Sequence, residues 1–323
     1  MADLPPERLN TSQPFTYVGL DVFGPWAVIA RRTRGGHAES KCWAMLFICM
    51  STRAIHIEVL ESMDTSCCIN ALRRFYALRG PAKQLRSDCG TNFVGACNEL
   101  KFGKEQQQET RMQRYLSEQG CTWEFNPPHS SHMGGVWERM IGVAWRVLDS
   151  ILLQNKSSHL SHEVLCTFLA EVTAIVNARP LIPVSNDPEL PFILTPARLL
   201  TQKVGAPAPF GEFTDKDLFK RQWRQVQSLA SKFWTRWKRE YLPTLQSRTK
   251  WTETHRNLQE GDLVLLIDKQ VVRNEWPLAR VTSAFVSDDG KVRKIEVKVS
   301  SNVTVKKFMR PISEVALLLP KED

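Results

Sequence analysis

The chain has 323 residues, 42% hydrophobic and 24% charged, which is long enough to bury a sizeable core divided among roughly two or three domains. That composition excludes a disordered, collagenous or low-complexity chain, and the longest apolar run, WAMLFICM over 43–50, is too short to cross a bilayer. The net charge of +9 is unevenly spread: 20 Lys and Arg face 19 Asp and Glu over 1–200, but 23 face 15 over 201–323, so the C-terminal third suits contact with a polyanion.

The opening MADLPPERLNTSQPF has neither the basic nor the apolar region of a signal peptide. The eight cysteines include no CxxC pair, so free thiols in a soluble intracellular chain are expected. From residue 15 three β-rich runs follow, FTYVGLDVF, CWAMLFICM and AIHIEVL, with breaks expected at GPW, RRTRGGH and STR. TSCCINALRRFYALRG (65–80) is helical in spacing, carrying Ile69, Leu72, Phe75, Tyr76 and Arg79, and Gly80 and Pro81 stop it. AKQLRSD is a short fourth strand, Thr91 opens another helix, and CTWEF is a fifth strand. A helix from Met133 to about Gln154 has an apolar stripe of Val136, Met140, Val143, Val147 and Ile151, and HLSHEVLCTFLAEVTAIVNARP gives one more. This order predicts a mixed sheet with helices on its faces.

Beyond a proline-rich connector, residues 217–245 read as a long helix with the stripe Val226, Leu229, Phe233, Trp237 and Tyr241. GDLVLLID, WPLARVTSAFV, VRKIEVKVS and TVKKFMRPI then predict a β-barrel of about 60 residues.

Three carboxylates stand at the ends of core elements, each beside Gly or Pro: Asp21 in YVGLDVFGPW, Asp88 in LRSDCGTNFVG and Glu138 in HSSHMGGVWERMIG. Singly, each has a plain alternative: a turn residue, the cap of the helix at Thr91, and a favourable charge at a helix N-terminus. Together they form the oxygen-only set that binds Mg²⁺, and paired ions can serve phosphodiester chemistry. Glu138 turns away from the stripe at Val136 and Met140, and the GG step before it admits close backbone approach. Alternation along AIHIEVL makes Glu58 a solvated strand residue, not a fourth ligand. His129 and His132 lie in a loop beside the candidate site. His159, His162 and Cys166 come nearest to zinc-ligand spacing, but no second cysteine follows, so no zinc site is expected.

YVGLDVFGPW, RAIHIEVL, LRSDCGTNFVGA, FNPPHSSHMGGVWERMIG, NARPLIPVS, LTPARLL, RQWRQVQSLASKFWTRWKREYLPTLQ and NLQEGDLVLLIDK carry a resemblance over nearly the whole chain. It resembles the integrase region of BEL/Pao-type LTR retrotransposons, in the retroviral integrase superfamily. The resemblance implies an α/β protein: an RNase H-like mixed five-stranded sheet flanked by helices, then a long helix and a small C-terminal β-barrel. The implied segments are a tail (1–11), the catalytic core (12–200), a linker with the basic and aromatic helix (201–258), and a nucleic-acid-binding barrel (259–323).

It further implies that Asp21, Asp88 and Glu138 form the Asp-Asp-Glu triad and hold Mg²⁺ or Mn²⁺, as two ions. The activity implied is DNA strand transfer, in which water trims the element's ends and the freed 3′-OH joins them to target DNA. Two alternatives share the fold: a silent, host-retained DNA-binding or assembly protein, and a metal-dependent nuclease. The implied partners are DNA and further copies of the chain, with no membrane, in the nucleus.

Expected DNA contacts are His132, Arg139, Arg146, Arg236, Lys238, Arg239, Lys291, Arg293, Lys294, Lys306 and Lys307. Trp223, Trp234, Trp237 and Tyr241 read first as a packing face and second as base-stacking residues. Relatives carry basic residues where this chain has Trp145, and a polar or basic residue where it has Cys89. No zinc-binding His/Cys module precedes the core, which predicts a polyprotein fragment or a truncated or host-captured copy.

Overall fold

The computed structural model describes residues 12–33, 36–88, 93–94, 121–125, 135–154, 160–183, 193–203, 211, 213–245, 256–267, 271, 273–300 and 305–321. The chain divides into two compact units, Met1–Asn177 with Gly211–Phe233, and Ala178–Phe210 with Trp234–Asp323.

The first unit is built on β1 (Tyr17–Thr33), β2 (Gly36–Cys49), β3 (Ile55–Leu60), β4 (Gln84–Ser87) and β5 (Thr122–Phe125). They form one sheet in the order β3-β2-β1-β4-β5, in which β1, β2 and β3 are antiparallel and β4 and β5 run parallel to β1. This is the mixed five-stranded, RNase H-like sheet expected from the sequence. Met45, Leu46, Phe47 and Ile48 of β2 are all buried, because helices cover both faces of this inner strand. Those helices are α1 (Thr65–Arg79), α2 (Gly135–Gln154) and α3 (His162–Asn177).

Asp64 caps α1 by accepting from Cys67 N at 2.7 Å, and Gly80, at φ 83°, ends it with its N–H on Tyr76 O. Phe75 of α1 stacks on Phe47 of β2 with 4.1 Å between ring centroids. Asn177, the last residue of α3, accepts from Ile55 N and donates to Ile55 O, both at 2.8 Å.

The break expected at GPW is instead a bulge inside one long strand. β1 continues through Gly24 and Pro25 to Thr33, and its register on β2 slips between Phe23 and Trp26. Gly24 has φ 115°, and a Cβ there would sit 3.2 Å from both Cys42 O and Trp43 Cα, so glycine is required twice over.

A helix α5 (Gln222–Leu245) follows the small elements β6 (Ile182–Pro183), β7 (Ile193–Leu194) and α4 (Pro196–Thr201) and a 3₁₀ turn at Asp215–Phe219. Its residues 222–233 belong to the first unit and 234–245 to the second. In the second unit β8 (Leu263–Leu266), β9 (Leu278–Val286), β10 (Val292–Ser300), β11 (Val305–Pro311) and β12 (Val315–Leu319) form an antiparallel sheet ordered β11-β10-β9-β8-β12. The sequence reading had no strand at β12, whose apolar VALLL pairs with β8.

β11 and β12 lie at opposite edges, roughly 19 Å apart across a flat sheet at about 4.8 Å per strand. Only Ile312–Glu314 joins them, and the four Cα steps involved reach about 15 Å at most, so the sheet must curl toward closure. The curled sheet encloses Val264, Val281, Ile295 and Val297, while Leu242 of α5 packs with Leu265 and Ala316.

Candidate active site

Asp21 is the fifth residue of β1, within the strand and not at its end, opposite Leu46 of β2, half-buried, with Oδ1 accepting from Val22 N at 2.8 Å. Asp88 is exposed and is the first residue after β4. The strands β1 and β4 pair in parallel, Tyr17 with Gln84, Val18 with Leu85 and Gly19 with Arg86. Two residues further along the same count stand Asp21 and Asp88. Residues in register on neighbouring parallel strands share a face at a spacing of about 4.8 Å.

The exit of β4 is fixed by a buried relay that sequence reasoning missed. Trp123 of β5 donates its indole N–H to Ser87 Oγ at 3.0 Å, and Ser87 Oγ donates to Asp88 O at 2.9 Å. Both side chains are buried. Its residues sit in LRSD and CTWEF, but only the strand register, Leu85 with Trp123 and Ser87 with Phe125, brings them together.

Glu138 belongs to the first turns of α2, and its side chain is outside the described residues. At 100° per residue, Trp145 and Asp149 fall within about 20° of its direction around the helix. That face meets β1: Trp145 stacks on Phe23 with ring centroids 3.5 Å apart, and Asp149 Oδ1 accepts from Trp26 Nε1 at 2.9 Å. Trp145 is therefore a packing residue, while Arg146 beside it is exposed. The opposite stripe, Val143, Val147 and Ile151, is buried as expected. No group of three His, Cys, Asp or Glu side chains suited to a metal ion occurs among the described residues, which exclude that of Glu138.

Glu58 is not solvated. Its side chain is 12% exposed, and it bonds His56 Nε2 at 2.8 Å and Arg74 Nε at 2.6 Å. Burial works to raise its pKa, but the bonds from His56 and Arg74 outweigh burial and hold the carboxyl below its ordinary range. It belongs to edge strand β3, separated from β4 by β2 and β1. His162 stands 3.6 Å from both Cys166 Sγ and Glu61 Oε1.

The expected DNA contacts fall into distinct settings. His129, His132, His159 and Cys89, and the side chain of Arg139, lie outside the described residues. Lys238 is only 8% exposed, with Nζ 5.4 Å from the Trp234 ring, so packing holds it away from a phosphate. Arg236 faces Glu240 at 3.8 Å, and Arg239 is exposed. Arg293 bonds Asp289 through both terminal nitrogens, and Lys307 pairs with Glu296 at 3.1 Å.

Lys291, Lys294 and Lys306 are exposed, yet they do not share a face. Lys294 pairs with Pro311 and Lys298 with Lys307, whereas Lys306 is opposite Val299 and so points to the other side of the sheet. A different set does align: Arg280, Lys298 and Lys307 are registered across β9, β10 and β11 as a row of three cations. Trp234, Trp237 and Tyr241 are buried, which makes them a packing face, and Trp223 is exposed.

Residues 221–318 match the model of a family of unknown function (DUF5641), a stretch that opens just before α5 and ends within β12. No curated protein matches the chain. A chain of the simian T-cell lymphotropic virus intasome, solved with PP2A regulatory subunit B56 gamma, aligns over 96% of this chain and 81% of its own length. Its identity is 10% and its TM-score 0.39. The HTLV-2 integrase catalytic core domain, solved with magnesium in a trimeric form, aligns over 58% of this chain and 97% of its own, at 13% identity and a TM-score of 0.35.

Proposed function

We propose that this chain is a DNA strand transferase of the retroviral-integrase type, of BEL/Pao character, with Asp21, Asp88 and Glu138 as its catalytic carboxylates. The observation that carries this reading is the parallel register of β1 and β4, Gly19 with Arg86; continued two residues past that pair, it supports Asp21 beside Asp88 where β4 ends. The α2 contacts support the third member. Moving back along α2 from Asp149 to Trp145 moves back along β1 from Trp26 to Phe23. Seven further residues of helix rise about 10.5 Å in the same sense, which supports Glu138 toward the part of β1 that carries Asp21. Asp21 and Phe23 share a strand face, because side chains alternate.

An oxygen-only donor set of carboxylates at an open sheet end suits Mg²⁺ or Mn²⁺, taken as two ions. When bound, such ions lower the pKa of an attacking oxygen and offset charge on the leaving one. The chain's own task is positional: the Trp123–Ser87 relay fixes the Asp88 backbone, and α2 sets Glu138 against β1. DNA is held through phosphates, with the Arg280–Lys298–Lys307 row as its principal contact on the curled sheet. Like charges on adjacent strands repel; Glu296 offsets part of this at Lys307, and a polyanion adds to that relief. The functional form is a homo-oligomer acting in the nucleus.

The test is metal-dependent joining of oligonucleotide ends to target DNA by the whole chain. Joined products that vanish in Asp88→Asn, with the circular dichroism spectrum unchanged, support the reading. DNA cut but never joined identifies a nuclease of the same fold, and metal-independent binding alone identifies a silent DNA-binding protein.

A further inference from the structure

We propose that the surface between the 3₁₀ turn at Asp215–Phe219 and the first turn of α5 binds an unpaired polynucleotide strand. Lys220, Arg221, Trp223 and Arg224 line a cleft of about 510 Å³ there. Trp223 is 52% exposed, and nearby Phe219 is 73% exposed. A soluble surface has no folding reason to display two large aromatic rings among cations.

The cleft is pre-organised. Phe213 holds Trp223 edge-to-face at 5.9 Å, and the Arg224 guanidinium lies 5.4 Å from the Trp223 ring and 5.6 Å from that of Phe213. Arg224 is anchored in turn by the buried carboxylate of Asp217, at 2.8 Å from its Nε. Asp217 also accepts from Lys220 Nζ at 3.1 Å and Thr214 N at 2.8 Å. These bonds, led by that from Arg224, keep the Asp217 carboxyl far below its ordinary range. A ring fixed in this way loses little entropy when a base stacks on it.

The charge balance points to an anion. Three of the four side chains lining the cleft, Lys220, Arg221 and Arg224, are cations, and Asp217 pairs with Lys220 and Arg224. These three cations crowd the positive end of a 24-residue helix whose first turn has no acidic residue. Arg221, immediately before that helix, accepts from Arg224 N and Gln225 N through its backbone oxygen at 2.9 and 3.1 Å, but its side chain brings only positive charge, which is unfavourable at that pole. Neighbouring Gln222 is engaged elsewhere, donating to Ser161 Oγ at 3.0 Å. A phosphate relieves the excess charge, and a base covers Trp223 and Phe219.

A duplex keeps its base faces stacked inside, so only an unpaired strand uses both features. The lining side chains are donors only and offer no acceptor to a ribose 2′-OH, so DNA and RNA strands should bind alike. This inference does not depend on the carboxylate triad, and its test involves no joining reaction.

The test is fluorescence anisotropy of the full chain with labelled oligo-dT, oligo-U and a hairpin duplex at fixed salt. Trp223→Ala should weaken both single strands by roughly tenfold or more, the loss of one stacked base, and the duplex by less than about twofold. Trp223→Phe, which keeps a stacking face, should stay within about threefold of the parent. The pair Lys220→Gln and Arg221→Gln should lower the slope of log affinity against log salt for oligo-dT by about 1.4. An unchanged oligo-dT affinity in Trp223→Ala overturns the proposal, as does an equal loss for duplex or an unchanged salt slope in the lysine–arginine pair. If Trp223→Ala fails to fold, Trp223→Phe and the charge variants decide, with the same overturning results. A failure of Asp88→Asn to abolish joining leaves all of these measurements untouched.

Discussion

Removing the hydroxyl of Ser87 should loosen the strand end that presents Asp88. In Ser87→Ala the indole N–H of Trp123 loses the oxygen 3.0 Å away, inside a site where both side chains are buried, and Asp88 O loses a donor at 2.9 Å. A buried donor left unsatisfied costs about 1–3 kcal/mol, a roughly 5- to 150-fold shift in the local opening equilibrium. Native-state hydrogen exchange at the amides of β4 and β5 reads that shift directly. The second arm is Trp123→Phe, which removes the donor and keeps an aromatic ring. If the relay operates as a pair, the double variant should cost less than the two single variants summed, by at least about 0.5 kcal/mol. Additive effects, or exchange in Ser87→Ala within about twofold of the parent, would refute the reasoning and leave Asp88 positioned by the strand ladder alone.

Further expectations concern charge. Glu58 has a depressed pKa, so its contribution to stability is full above the unfolded carboxylate value near 4.3 and fades as pH falls through the lower folded value. Glu58→Gln should therefore flatten the acid limb of the thermal-stability profile, and an identical acid limb would exclude the His56–Arg74 network as its cause. In the second unit, buried Asp262 accepts from Arg256 Nη2 at 2.8 and 2.9 Å, and from the N–H groups of Gln259 and Lys321, each at 2.9 Å. Asp262→Ala should destabilise that unit by about 1–3 kcal/mol in urea unfolding, and no change would show those amides re-partnered to water. Changing Lys298 and Lys307 together to Gln should lower the salt slope of duplex binding by about 1.8, and an unchanged slope removes the cation row from the DNA interface.

Much of the architecture was readable because burial writes itself into period and punctuation. The run CWAMLFICM is continuous because its strand is covered on both faces, and VRKIEVKVS matches β10 end to end because Val292, Ile295 and Val297 supply the buried core of that sheet. Gly24 and Pro25 misled for a physical reason: locally they terminate a strand, but long-range pairing with β2 absorbed them as a bulge. Glu58 misled for the opposite reason. Alternation correctly put it away from Ile55 and Ile57, but no local pattern foretells that Arg74 and His56 enclose that side. Asp21 and Asp88 stood out as acids in apolar or glycine-bounded surroundings. The Ser87–Trp123 relay did not, because Ser and Trp acquire their roles only when β4 and β5 lie side by side. Among the cations, sequence clustering around 291–307 suggested one patch, and strand register then split it between two faces.

The carboxamide of Asn177 occupies both backbone groups of Ile55 at the margin of the first sheet. An open margin is a template on which another polypeptide can lay itself down, and β3 has β2 on one side only. By imitating a neighbouring peptide group, one side chain at the close of α3 finishes the sheet there and denies a sixth strand its first pair of bonds. Edge-to-edge pairing at that margin is thereby disfavoured where a new strand would begin.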